Sequence, residues 1–162
     1  MSASRVVVAE DDVLLREGIV SLLTGAGYEV VGQVGDAPAL ASVVREQVPD
    51  LVITDIRMPP AQQTEGLDAA RQIRAEFPQI GILVLSAHVE VDKALDLLED
   101  GRGIGYLLKS RVMKANDVVD ALQRIADGGS VVDPALVQQL VAQRHRAGPV
   151  TVLAQELHAR HS

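Results

Sequence analysis

The chain has no cysteine and no tryptophan, and its only aromatic residues are Tyr28, Phe77 and Tyr106 among 162. Without cysteine there can be no disulfide framework, thiolate zinc site or cysteine nucleophile, and the composition suits a reducing compartment. So few rings leave no base-stacking platform. Positive charge is also scarce, with 15 Lys and Arg against 22 Asp and Glu for a formal charge of −7. A surface of that sign does not neutralise phosphates, so nucleic acid is not an expected ligand of these residues. Long apolar runs are missing too. The amino terminus passes from the run Val6 to Ala9 straight into Glu10, Asp11 and Asp12, too short and too acidic for a secretory signal, and nothing approaches the ~20 residues of a membrane span. The expected setting is the cytoplasm, with no membrane contact.

What is present is core-forming material. The chain is 48% hydrophobic and 23% charged, and a chain near ~150 residues buries roughly 70% of its unfolded surface. Short β-branched runs alternate with longer amphipathic stretches, the pattern of βα units around a buried parallel sheet. Strands are expected at Val6 to Ala9, Glu29 to Val34, Leu51 to Thr54, Ile80 to Leu85 and Gly105 to Leu108. Helices are expected from Val13 (apolar face Leu14, Leu15, Ile19, Leu22, Leu23), then near Ala37 to Gln47, Gly66 to Glu76, Val89 to Asp100 and Ala115 to Asp127. Glycines at 25, 27, 101, 103, 105, 128 and 129 follow helices, which makes them helix stops and not nucleotide loops. Right-handed crossovers lead to an α/β fold, a doubly wound five-stranded parallel sheet of order 2-1-3-4-5. Beyond residue 130, Asp133-Pro134 reads as the N-cap and first position of a sixth helix with apolar face Leu136, Val137, Leu140 and Val141, ending near Arg146. Residues 1–143 carry 12 basic against 21 acidic side chains, whereas 144–162 hold three Arg and one Glu. The expected organisation is a body at 1–130, a linker helix at 131–148 and a short tail at 149–162.

In such a sheet ligands bind beyond the carboxyl ends of the strands where the order reverses, here between the first and third. The first strand runs into Glu10 and Asp11, the third ends at Asp55, the fourth at Ser86 and the fifth at Lys109. Each alone is a weak signal, since strand-end acids are usually loop or cap residues, and Asp12 fits that reading as a helix N-cap. Together they form a logical set. Clustered carboxylates repel unless a hard cation joins them, a carboxylate can attack a phosphoryl group, and the transferred group needs a lysine and a hydroxyl on its oxygens.

These residues, with Ile53-Thr54-Asp55-Ile56-Arg57-Met58-Pro59, Ser86-Ala87 and Tyr106-Leu107-Leu108-Lys109, resemble the receiver domain of two-component response regulators of the NarL/FixJ (LuxR-type) class, over residues 5 to about 130. The resemblance implies Asp55 as phosphoacceptor, Asp11 and Glu10 as ligands of Mg²⁺ (or Mn²⁺) together with Asp55 and the backbone carbonyl of Arg57, Ser86 and Lys109 as phosphoryl-binding groups, and Ser86 and Tyr106 as the switch pair. An alignment one residue later would make the acidic pair Asp11 and Asp12. It further implies a sensor histidine kinase as donor, a homodimer as active state, readout through the fourth helix, fifth strand and fifth helix, and slow self-phosphorylation and dephosphorylation in place of enzymatic turnover. DNA would be reached only through a helix-turn-helix domain that residues 149–162 do not supply, in a full-length transcription regulator.

Three departures from the family pattern stand out: a long loop from Pro59 to Gly66, Ser110 where a proline often follows the lysine, and the expected absence of the output module. Two other function classes compete. A Mg²⁺-dependent phosphohydrolase would carry a second Asp two residues after the nucleophile, where this chain has Arg57. A phosphorylation-independent interaction module is the other alternative. His158 and His161 have no third ligand nearby and read as a solvated tail.

Overall fold

The computed structural model describes residues 4–99, 101–114 and 117–143. Strands β1 (Arg5–Ala9), β2 (Glu29–Val34), β3 (Leu51–Asp55), β4 (Gly81–Ser86) and β5 (Ile104–Leu108) alternate with helices α1 (Val13–Gly25), α2 (Ala37–Gln47), α3 (Glu65–Glu76) and α4 (Val91–Leu98). A one-turn helix α5 (Lys109–Val112), then α6 (Asp117–Ala126) and strand β6 (Ser130–Val132), complete the body. Residues 134–143 form a further helix, α7. The tail from residue 144, with His158, His161 and the end of the linker helix, lies outside the described residues.

All the strands are parallel, in the order 2-1-3-4-5-6. The expectation of five strands is corrected to six among the described residues. Gly128, at φ +86°, turns the chain back after α6, and Ser130–Val132 then pairs with Ile104, Gly105 and Tyr106 along the edge of β5. Three residues are too short for any periodicity to show, so the glycine pair reads only as a helix stop.

Alternate residues of each central strand face opposite sides, which gives two cores. Val7, Ala9, Val52, Ile82, Val84 and Tyr106 pack under α2, α3, α4 and α7. Val6, Val8, Ile53, Leu83, Leu85 and Leu107 pack under α1 and α6. Covering both faces explains the unbroken apolar runs, and each fully buried Val, Ile or Leu side chain contributes about 1.5–3 kcal/mol.

Two expected apolar faces need correction. In α1, Ile19 and Leu23 are buried, but Leu14 is 81% exposed. In α7, Leu136 is buried and Leu140 packs against the core, whereas Val137 and Val141 are exposed. Residues four apart share a ridge, and the ridge holding 136 and 140 is the one that meets the sheet.

Candidate functional site

β1 and β3 are neighbours, so their carboxyl ends bring Glu10, Asp11 and Asp55 together, each offering a carboxylate oxygen within 4.8 Å of the others. Asp12 points elsewhere: its side chain accepts the Leu14 and Leu15 amides and caps α1. Arg16 donates to the Glu10 carbonyl at 2.7 Å, which fixes the turn presenting the acidic pair. Lys109 directly follows β5, and its ammonium reaches Glu10 Oε1 at 2.8 Å and Asp55 Oδ2 at 2.5 Å. The cleft above these groups has a volume of about 320 Å³ and is bounded by Asp11, Asp55, Arg57, Gln62, Ser86 and Lys109 among others. A larger cavity, about 540 Å³, lies at the opposite, amino end of the sheet. There Arg74 is already bonded to the carbonyls of Ile80 and Arg102, and none of the strand-end acids takes part.

Glu10 is fully buried, and its Oε2 has no hydrogen-bond partner. Burial and the neighbouring Asp55 carboxylate push its carboxyl up to about 8 against the pull of Lys109. Burial by itself would lower the Lys109 ammonium, but its hydrogen bonds to Asp55 and Glu10 outweigh that and raise its pKa. Three carboxylates facing a single ammonium leave room for one more cation, and a buried oxygen without a donor is what a cation would satisfy. The donor set, hard oxygens only, fits a divalent ion of the Mg²⁺ kind.

Close packing holds Asp55 in place. The Gly66 amide donates to the Ile56 carbonyl at 2.9 Å, and a Cβ on Gly66 would fall 1.6 Å from the Asp55 carbonyl oxygen. Glycine is therefore required for α3 to approach the end of β3.

On the other wall the Ser86 hydroxyl faces the carbonyl of His88 and, at 3.2 Å, the carboxylate of Glu90. Tyr106 is fully buried; its hydroxyl donates to the His88 carbonyl at 3.1 Å and accepts the Glu90 amide at 3.0 Å. Glu90 also pairs with the Arg57 guanidinium.

The structure thus gathers Glu10, Asp11, Asp55, Arg57, Ser86 and Lys109 at one cleft, with Tyr106 behind its wall. Sequence reasoning missed Gln62 and Glu90. Gln62 sits in the long loop at φ +56° and donates to Asp11 Oδ2 at 3.0 Å. The loop's unusual length was the only sequence signal for it. The bond between Pro59 and Pro60 is cis.

A doubly wound parallel sheet with an acidic cluster and a lysine at the strand switch point defines a class of α/β proteins that bind or transfer groups at that edge. The chain belongs, within that class, to the response regulator receiver domain family, whose model it matches over residues 6–123. It is 35% identical over 148 residues to the probable transcriptional regulatory protein NarL of Mycobacterium tuberculosis, a match covering 90% of this chain and 66% of that protein. It is 30% identical over 143 residues to the transcriptional regulatory protein DegU of Brevibacillus brevis, covering 88% of this chain and 58% of that one. The fold also matches the crystal structure of a LuxR-family two-component response regulator from Aurantimonas, with a TM-score of 0.76 and 29% identity, covering 88% of this chain and 99% of that one. The chain therefore spans about six tenths of the length of these two curated relatives.

Proposed function

We propose that this chain is the phosphoacceptor module of a two-component response regulator, with Asp55 receiving a phosphoryl group from a sensor histidine kinase in the cytoplasm. One observation carries the reading: Asp55, at the end of a central strand, has Lys109 on one carboxylate oxygen and Glu10 and Asp11 within 4.8 Å. An Asp55 oxygen forms the O–P bond while the P–N bond of the donor phosphohistidine breaks, its electron pair staying on the imidazole nitrogen. Lys109 then holds a phosphoryl oxygen, and Ser86 becomes a donor to another once its present acceptors release it.

Mg²⁺, with Mn²⁺ as a substitute, would be held by Glu10, Asp11, Asp55 and the main-chain carbonyl of Arg57. When bound it neutralises charge on the phosphoryl oxygens. The relatives' names support transcription regulation as the output. In this reading the switch is self-association through the face of α4, β5 and α6, and DNA is contacted by a domain other than this acidic body. Ser86 and Tyr106 are the switch residues in this reading. A phosphohydrolase is disfavoured because Arg57, paired with Glu90, stands where that chemistry needs a second Asp. The reading as a phosphorylation-independent docking module is separated from ours by the same experiment.

The test is to phosphorylate the protein with acetyl phosphate and Mg²⁺, reduce with borohydride and map the peptides. An acyl phosphate is reduced to homoserine, expected at position 55 alone. Homoserine at another acid, or at none, would overturn the assignment.

A further inference from the structure

We propose that Glu90 is a gate on the phosphoacceptor cleft, holding Ser86 and Arg57 away from an incoming phosphoryl group and slowing its transfer to Asp55. The proposal rests on the reading of Asp55 as phosphoacceptor.

Glu90 immediately precedes α4, and its side chain makes no capping hydrogen bond to the first turn of that helix. The carboxylate is instead turned to the cleft that it shares with Asp55 and Lys109. One oxygen pairs with the Arg57 guanidinium, which leads out of β3, and the other lies 3.2 Å from Ser86 Oγ at the end of β4. Its backbone amide donates to the Tyr106 hydroxyl on β5 at 3.0 Å. A single residue thus ties three adjacent strand ends together across the mouth of the site.

Two consequences follow from the donor count. A serine hydroxyl has one proton, and here it is already shared between the His88 carbonyl and Glu90. A phosphoryl group on Asp55 obtains that donor only by displacing Glu90 or His88. The Arg57 cation, which would otherwise attract an anionic donor, is neutralised by Glu90. Glu90 also adds a fourth carboxylate to the cleft of Glu10, Asp11 and Asp55, where like charge repels the donor. Recruitment of Ser86 to the phosphoryl group therefore competes directly with its contact to Glu90.

The experiment measures initial rates of Asp55 phosphorylation in the 162-residue chain with Mg²⁺, using acetyl phosphate and the less anionic phosphoramidate, for wild type, Glu90→Gln, Arg57→Gln and the double variant. Glu90→Gln should raise the acetyl phosphate rate about three- to tenfold, the scale of one unit charge at the mouth of an open cleft, and the phosphoramidate rate less. Arg57→Gln, which leaves Glu90 unneutralised, should slow acetyl phosphate labelling, and the double variant should lie between the two singles. A purely structural role for Glu90 would not discriminate between donors. If Glu90→Gln labels at Asp55 no faster than wild type, or Arg57→Gln labels faster, the gate is wrong and the assignment of Asp55 stands. If wild type takes no phosphoryl group on Asp55 from either donor, both fall.

Discussion

Glu10 is the residue whose protonation the fold alters most. Its carboxyl is raised from an ordinary 4.5 to about 8 by burial, with Asp55 beside it. A carboxyl that binds its proton more tightly in the folded state contributes stability that is fully present below pH 4.5 and is lost as the pH climbs toward 8. In chelator the urea midpoint of wild type should therefore fall from pH 5.5 to 7.5 relative to that of Glu10→Gln, and equal slopes for the two would show that Glu10 is not held protonated. A divalent ion needs the deprotonated form, so its affinity should rise about tenfold per pH unit below 8 if one proton is released. Calorimetry in buffers of different ionisation enthalpy counts that proton directly. Gly66 acts through space and not charge, since any side chain there meets the Asp55 carbonyl. Gly66→Ala should cost about 1–3 kcal/mol by overpacking and reduce labelling of Asp55. Unchanged stability and labelling would mean that α3 does not press on the end of β3.

At the scale of elements, α7 is fastened to the site-bearing corner of the sheet. Asp133 is fully buried; it accepts the Leu108 amide at 2.9 Å, Arg111 Nε at 2.9 Å and the Ala135 amide at 2.8 Å, while its own amide donates to the Tyr106 carbonyl. The start of α7 is thus bonded to residues on either side of Lys109. Asp133→Ala would strand three donors, one of them a charged guanidinium, and should destabilise the protein by about 3 kcal/mol in urea unfolding. A loss under about 0.5 kcal/mol, the usual range for an unremarkable surface change, would mean that the junction is not built as described. The sequence marks Asp133-Pro134 as a helix start by its capping chemistry, and that reading holds. Its second role, pairing with Arg111 from another element, leaves no local pattern. The same division explains the edge of the sheet: the central strands announce themselves as apolar runs because both faces are covered, whereas β6 is three residues long with only Val131 buried.

Taken as a whole molecule, the fold collects side chains from residues 10, 55, 86 and 109 at one edge because four parallel strands end there. This is why the candidate site is legible in the sequence. Strand ends are legible from hydropathy, and the strand order says which ends meet. Gln62 and Glu90 were not legible for the converse reason. Both lie on loops, and the position of each side chain depends on a partner far along the chain, Asp11 for one and Arg57 for the other. The rest of the cleft wall follows from packing, with Tyr106 filling the space between β5 and α4 under the loop that Glu90 closes. The most direct measurement is the intact mass of wild type and Asp55→Asn after incubation with acetyl phosphate, with Mg²⁺ and with excess chelator. One phosphoryl adduct is expected on wild type with Mg²⁺, and none on Asp55→Asn or in chelator. An equal adduct on Asp55→Asn, or undiminished labelling in chelator, would contradict the assignment of Asp55 and of the acidic cluster as a single phosphoryl-accepting, cation-dependent site.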